Sequence, residues 1–213
     1  MQPNALVMPA ASGVDTDVLI VGAGPTGLTL ATALVARGVR TIVIDRQAAG
    51  ANTSRAAVVH ARTLEVLEPL GVSPTLVARG IQAHRFTIRD RDRVLVPIGF
   101  EDLPTAYPYT LMISQAVTEG VLLERLAALG GQVQRPHTLV GLTQDRARAT
   151  ALLDDGSRVS ARFLVGADGM HSAVRELAGV PFSGGSYGES FALADVRLSG
   201  TVPRTAGVQA QRP

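Results

Sequence analysis

Three glycines between a predicted strand and a predicted helix form the first candidate site. Gly22, Gly24 and Gly27 follow an apolar strand pattern and precede an uncharged helical pattern. In such a turn the first Gly allows the tight bend, the second lets the backbone approach a pyrophosphate, and the third lets helix and strand pack closely. The helix opens at Pro25 and Thr26, where free N–H groups and the positive end of the helix dipole attract phosphates. The spacing therefore predicts a dinucleotide-binding loop.

A carboxylate follows the next predicted strand, at 40–44. Asp45 stands where such a side chain accepts hydrogen bonds from adenosine ribose hydroxyls. Arg46 could instead hold a 2′-phosphate, which would suggest NADP. Because Asp45 would repel that phosphate, a cofactor with free ribose hydroxyls is favoured, and NAD and FAD both qualify. The competing interpretation is a glycine turn beside a surface Asp.

A second strand–turn–helix pattern lies at 164–175. Asp168 and Gly169 form its turn, Gly169 can adopt backbone angles that other residues avoid, and Ser172 is a good N-cap. With Gly-x-Gly-x-x-Gly followed by Gly-Ala-Asp-Gly-x-x-Ser-x-x-Arg, the chain resembles the class A flavoprotein monooxygenases, the family of para-hydroxybenzoate hydroxylase and the phenol and polyketide hydroxylases. The resemblance runs from about Thr16 to Leu198, and the combination is more specific than either motif alone.

The resemblance implies roles for particular residues. Asp45 would hold the adenosine ribose, where the family more often has Glu. Arg55 matches an arginine that contacts the phosphate region of the flavin, and Gln115 matches a Gln or Arg near its ribityl chain. Asp168 and Gly169 match a pair used for both FAD and NAD(P)H, and the arginine that closes this motif is associated with the pyridine nucleotide. The predicted cofactor-binding residues are Gly22, Gly24, Pro25, Thr26, Gly27, Asp45, Arg46, Arg55, Gln115, Asp168, Gly169 and Arg175.

Four of these side chains have structural alternatives that the sequence leaves open. Arg55 could pair with a surface acid, and Gln115 could simply begin the helix that follows. Asp168 could cap its own turn without touching a ligand. Arg175 could compensate a neighbouring acid or a helix end.

Composition limits the chemistry. All 20 basic residues are Arg and there is no Cys, which excludes a P-loop or Schiff-base lysine, iron–sulfur clusters and thiolate zinc sites. The four His lack metal-ligand spacing, so no metal site is expected. The resemblance implies that FAD carries the redox work with no catalytic side chain. It implies NADH or NADPH as co-substrate and hydroxylation of a small aromatic or polyketide-like substrate by O₂, through a C4a-hydroperoxyflavin.

Charge and hydropathy exclude two kinds of partner. The net charge is only +2 and the run at 89–93 alternates Arg with Asp, so nucleic-acid binding is not expected. Residues 18–36 carry no charge, but glycines and Pro25 interrupt them where a membrane helix would have to continue. We therefore expect a cytoplasmic protein with no membrane association.

The element pattern predicts an α/β fold: a Rossmann-like FAD-binding domain with a parallel sheet, and part of a β-rich substrate-binding domain. The predicted divisions are a flexible extension at 1–16, the FAD-binding domain at 17–82 and 113–180, parts of the substrate-binding sheet at 83–112 and 181–200, and an irregular tail at 201–213. Strands are predicted near 17–21, 40–44, 84–89, 93–98, 131–135, 138–144, 148–153, 158–166 and 190–198, and helices near 25–37, 61–70, 115–129 and 172–178.

The chain departs from the family in one respect. Members are longer and carry a further Gly-Asp motif in their second half, whereas this chain contains no Gly-Asp dipeptide. We therefore expect the C-terminal half of the fold to be missing, with a natural fragment, a frameshifted product or one half of a split enzyme as explanations. Two alternatives to a truncated monooxygenase stay open. One is a non-catalytic FAD- or nucleotide-binding fragment or subunit that pairs with a complementing C-terminal half. The other is a related two-dinucleotide flavoprotein oxidoreductase.

Overall fold

The computed structural model describes residues 14–50, 58–90, 93–185 and 205–210. In chain order the strands are β1 (Thr16–Val21), β2 (Thr41–Ile44), β3 (Val58–Val59), β4 (Ile81–Ala83), β5 (Arg85–Asp90), β6 (Arg93–Gly99), β7 (Thr110–Met112), β8 (Val133–Gln134), β9 (Leu139–Gln144), β10 (Ala149–Leu153), β11 (Arg158–Gly166) and β12 (Thr205–Ala210). The helices are α1 (Pro25–Val35), α2 (Ala61–Leu67), α3 (Ser73–Arg79), α4 (Gln115–Ala128) and α5 (Ala173–Leu177), with a 3-10 turn at Glu68–Leu70.

The chain divides into two compact units. The first comprises Met1–Asn52 and Glu119–Tyr187, and the second comprises Thr53–Thr118 and Gly188–Pro213. Among the described residues, no helix combines the length and apolar character needed to cross a bilayer.

A six-stranded sheet organises the first unit. Its strand order is β8-β2-β1-β11-β10-β9, in which the first four strands are parallel and the last three form an antiparallel meander. Val21 at the end of β1 lies opposite both Ile44 and Gly166, and Ile44 lies opposite Gln134. The carboxyl ends of all four parallel strands therefore meet at one edge, which is where open α/β sheets bind ligands.

Apolar runs in the sequence fold as buried elements of this sheet. Leu19 and Ile20, whose side chains point to opposite faces of β1, are both completely buried, as expected for a parallel strand covered on both faces. Helix α1 begins at Pro25, which fits the first helical turn because Pro lacks an N–H, and it buries Leu28 and Ala31. This packing fixes the loop between β1 and α1.

The second unit contains two three-stranded sheets, ordered β12-β5-β6 and β3-β7-β4. The second unit also contains helices α2 and α3. Its buried leucines include Leu64, Leu76 and Leu111. In contrast, every residue of β6 is exposed.

The structure differs from the predicted organisation in several places. The prediction of an irregular tail is wrong for residues 205–210, which form β12 and pair in parallel with β5, with Thr205 opposite Arg85. Their residue types give little strand signal in the sequence, and the structure shows their pairing with β5 through the main chain. Residues 53–82, which the prediction places with the FAD-binding domain, lie in the second compact unit. Helix α3 was not predicted, and the predicted strand 190–198 lies outside the described residues.

Candidate dinucleotide-binding site

Two of the three glycines in the glycine loop lie close against backbone atoms of the protein. Gly22 has φ +106°, and a Cβ there would collide with the carbonyl of Ala167. A Cβ on Gly27 would collide with the carbonyl oxygen of Gly22. Both positions therefore require Gly because of how the protein itself packs.

Gly24 has no such constraint. Its φ of −75° and ψ of −176° suit any residue, and a Cβ at this position would meet no described protein atom within 4 Å. Gly24 is also the residue immediately before α1, whose first N–H groups have no partner within the helix. The loop thus leaves its backbone open to a ligand at the helix N-terminus.

Asp45 ties the end of β2 to this loop. Its Oδ2 accepts a hydrogen bond from the Ala23 N–H at 2.7 Å, and its Oδ1 accepts one from the Gln47 N–H at 2.8 Å. A carboxylate oxygen can accept a second hydrogen bond, so the carboxylate can still receive ribose hydroxyls. Arg46, the next residue, is exposed.

The second motif packs directly against the first. The Ala167 N–H donates to the Val21 carbonyl at 2.7 Å, and the Ala167 carbonyl is the group that a Cβ on Gly22 would meet. Gly169 has φ +80°, which confirms its predicted backbone angle. The Ser172 hydroxyl accepts a hydrogen bond from the Arg175 N–H at 3.0 Å, which confirms the predicted N-cap.

Asp168 makes its described contacts within its own turn. Its Oδ1 accepts a hydrogen bond from the Ser172 hydroxyl at 2.6 Å, and its Oδ2 accepts one from the Val174 N–H at 3.1 Å. The structural alternative, a carboxylate that caps its own turn, is therefore present. The turn it stabilises contains Ala167, so Asp168 also bears on the shape of the glycine loop.

Arg175 likewise has local partners. Its Nη1 donates to the Met170 carbonyl at 2.9 Å, and its guanidinium carbon lies 4.5 Å from the centroid of the Phe182 ring. Its Nη2 lies 4.0 Å from Glu176, a marginal ion-pair distance. These contacts hold the guanidinium beside α5.

Two of the predicted site residues are not among the described residues of the first unit. Arg55 lies outside the described residues, and Gln115 is the first residue of α4 and belongs to the second unit. The structure therefore brings together the glycine loop, Asp45 and the turn of Asp168, all in the first unit.

Arg135 also lies at this edge of the sheet, although no sequence motif singles it out. Arg135 follows β8, and its Nη2 is 3.5 Å from the Ala23 carbonyl oxygen. Its Nη1 is buried and has no hydrogen-bond partner within the described part of the chain. The available signal was the position of Arg135 at the end of the predicted strand 131–135, but that position matters only once β8 is known to lie beside β2.

Two other groupings of polar residues have structural explanations. His137, Asp154 and Asp155 lie close enough to share a cation. However, Asp154 accepts the Thr138 N–H at 3.1 Å and Asp155 accepts the Ser157 N–H at 2.8 Å. These hydrogen bonds to backbone N–H groups account for both carboxylates in their turn, and we assign no metal to them.

The second grouping lines a pocket of about 330 Å³ in the second unit. In its wall, Arg62 pairs with Glu65 at 2.9 Å, and the Thr105 hydroxyl donates to Glu65 at 2.6 Å. The Thr105 hydrogen bond, followed by that of Arg62, lowers the pKa of Glu65. Glu65 thus has structural partners on two elements of this unit.

Comparisons with known proteins give one consistent result. The sequence profile of a family described as "FAD binding domain" matches residues 15–209. A 6-methylpretetramide 4-monooxygenase of Streptomyces rimosus is 44% identical over 192 residues, which are 88% of this chain and 34% of that protein. A pentachlorophenol 4-monooxygenase of Sphingobium chlorophenolicum is 36% identical over 182 residues, which are 83% of this chain and 34% of that protein.

Solved structures agree with this result. An anhydrotetracycline hydroxylase from Streptomyces rimosus superposes with a TM-score of 0.73 at 37% identity, covering 80% of this chain and 35% of the other. An aklavinone-11 hydroxylase, solved as a ternary complex with FAD and aklavinone, gives a TM-score of 0.70 at 32% identity, covering 79% of this chain and 36% of the other. The chain spans about a third of the length of these relatives.

Proposed function

This chain belongs to the FAD binding domain family of the class A flavoprotein monooxygenases, and from that premise we propose that it binds FAD at the edge formed by β1, β2 and β11. We further propose that it serves an NAD(P)H-dependent monooxygenase acting on an aromatic or polyketide-like small molecule. The observation that carries the FAD proposal is the contrast among the three glycines, because only at Gly24 would an added Cβ meet no described atom within 4 Å.

The pyrophosphate is the part of FAD that fits Gly24. A phosphate needs several N–H donors at close range, and a side chain at this position would keep it away from the backbone. Gly24 precedes a helix of 11 residues that begins with Pro25 and Thr26. We therefore assign the pyrophosphate to Gly24 and the first turn of α1, with Gly22 and Gly27 holding the loop in shape.

Asp45 is the proposed partner of the adenosine ribose. Its carboxylate is oriented by the N–H groups of Ala23 and Gln47, which leaves further lone pairs for two ribose hydroxyls. The negative charge disfavours a 2′-phosphate at the same place, so the site suits FAD or NAD better than NADP, and family membership favours FAD. Arg46, although adjacent, is proposed only as a peripheral contact.

The remaining predicted residues have less direct support. For Asp168 and Gly169 we propose an indirect role, in which their turn supports the loop through Ala167. The pyridine-nucleotide role of Arg175 and the FAD contacts of Arg55 and Gln115 are proposed from the resemblance alone.

Bound FAD would supply the redox chemistry and the reaction with O₂. The chain's own residues would bind the cofactor, orient it and exclude water from part of it. Since the chain spans about a third of the length of its relatives, hydroxylation is proposed for the whole assembly, including a complementing half. The second candidate function is a non-catalytic FAD-binding subunit. Oxidation of NAD(P)H by the isolated chain with added FAD would refute the second candidate.

A comparison of two carboxylate variants tests the FAD proposal. Asp45→Ala removes the proposed ribose acceptor and should weaken FAD binding by about 1–3 kcal/mol, measured by titrating FAD fluorescence. Asp145→Ala is the matched control, because Asp145 is an exposed carboxylate that also accepts backbone N–H bonds in its own turn. Equal FAD affinity in the wild type and Asp45→Ala would remove Asp45 from the site.

A further inference from the structure

The guanidinium of Arg135 lies at the same edge of the sheet as the proposed ribose site. The carbonyl of Gln134, the residue before it, accepts the Asp45 N–H at 3.1 Å, and the Asp45 carbonyl accepts the His137 N–H at 2.9 Å. Because β2 separates β8 from β1, an Arg135 side chain that approaches Ala23 must pass the end of β2. Arg135 and Asp45 therefore converge on the same residue of the glycine loop.

These two side chains approach opposite types of group on Ala23. The carboxylate of Asp45 accepts from the Ala23 N–H at 2.7 Å, while Nη2 of Arg135 lies 3.5 Å from the Ala23 carbonyl. The backbone of Ala23 is thus contacted by one acceptor side chain and one donor side chain. An adenosine group presents both hydroxyl donors and ring or ribose acceptors, so it is complementary to such a pair.

The other terminal nitrogen of Arg135 has no acceptor in the described part of the chain. Nη1 is buried from solvent, and none of the ion pairs found among the described residues includes Arg135. A guanidinium nitrogen removed from water without an acceptor is costly, so such groups are normally paired. An acceptor supplied by a ligand at this edge would pair it.

We propose that Arg135 binds the adenosine end of the dinucleotide, donating from Nη1 to an acceptor on the ribose or adenine while Nη2 stays beside Ala23. This inference rests on the proposed function. The pyrophosphate is the less suitable partner, because it is assigned to α1 after β1, whereas Arg135 comes from β8, beyond β2. With Asp45 accepting and Arg135 donating, the adenosine would be held by both kinds of hydrogen bond.

The test measures the affinities of the full 213-residue chain for FAD, ADP and adenosine, by fluorescence titration or calorimetry for FAD and ADP and by NMR titration for adenosine. Arg135→Gln should weaken binding of all three ligands by about tenfold or more. Arg158→Gln is the matched control, since Arg158 is exposed and begins β11 at the opposite edge of the sheet. It should change each affinity by less than about twofold, because an exposed Arg far from the ligand contributes little to binding.

Other outcomes overturn the inference. If Arg135 only shapes the loop through Ala23, Arg135→Gln will weaken FAD and ADP but leave adenosine unchanged. Unchanged binding of all three also removes Arg135 from the site. Should Arg135→Gln fail to fold by circular dichroism, Arg135→Met replaces it, because Met has a long side chain without an N–H donor. Wild-type adenosine affinity in that variant counts against the inference. A wild-type chain that binds none of the ligands refutes the proposed function and this inference together. If the wild-type chain binds all three ligands, an unexpected result for the Arg135 variant counts against the role of Arg135 alone.

Discussion

Alanine substitution at the loop glycines should separate stability from ligand binding. At Gly22 an added Cβ meets the Ala167 carbonyl and must adopt φ +106°, while at Gly24 it meets no described atom within 4 Å at an ordinary φ of −75°. Gly22→Ala therefore damages the protein itself. Gly24→Ala leaves the protein intact and occupies the space assigned to the pyrophosphate.

The sizes of the two effects follow from these contacts. Overpacking costs about 1–3 kcal/mol and the strained backbone about another 1–3 kcal/mol, so Gly22→Ala should lose about 2–6 kcal/mol of stability. For a chain of this size that lowers the Tm by about 4 °C or more. Gly24→Ala should keep its stability or gain up to about 1 kcal/mol, because it restricts the unfolded chain.

Binding should show the opposite ranking. In Gly24→Ala the added methyl group would lie against the pyrophosphate. The variant should therefore bind FAD and ADP about tenfold or more weakly than the wild type. Thermal unfolding without ligand and fluorescence titration with FAD measure the two effects. Gly184→Ala is the control, because a Cβ there also meets no described atom within 4 Å. FAD binding by Gly24→Ala at wild-type affinity, or wild-type stability in Gly22→Ala, would refute these assignments.

Two further predictions concern the first unit. Asp168→Ala should lower stability by about 1–2 kcal/mol because it removes the acceptors of the Ser172 hydroxyl and the Val174 N–H. Ser172→Ala removes part of the same cap, so the double variant should lose less stability than the sum of the two single variants. Additive losses in the double variant would count against a joint cap. The two Arg40 hydrogen bonds, at 3.1 and 3.0 Å, lower the pKa of Asp17 below its ordinary 3.8. Since its folded pKa is depressed, its contribution is present above about pH 4 and is lost as the pH falls through the folded value. Asp17→Asn should thus destabilise the chain to denaturant at neutral pH and converge with the wild type in acid, and a pH-independent difference would contradict the ion pair.

Much of the first unit was predictable because its signals are local. An apolar run buried on both faces of β1, a Pro that begins α1 and a Ser that caps α5 each act within a few residues. The same holds for Gly169, whose positive φ follows from a tight turn. These features were therefore readable from the order of residue types.

The remainder depends on contacts between distant segments. Arg135 approaches Ala23 only because β8 pairs beside β2, and strand order is not written in any local pattern. The contact of Asp45 with the Ala23 N–H likewise requires the folded loop. Strand β12 pairs with β5 through the main chain, and its residue types do not signal that pairing in the sequence.

Titration of FAD into the full chain, monitored by flavin fluorescence and repeated with ADP and FMN as competitors, tests the proposed cofactor site most directly. We predict saturable binding of one FAD per chain. ADP, which carries the adenosine and pyrophosphate groups assigned to Gly24, Asp45 and Arg135, should displace FAD, and FMN should not. Absence of FAD binding, or displacement by FMN but not by ADP, would contradict the assignment of this edge to the adenosine half of the cofactor.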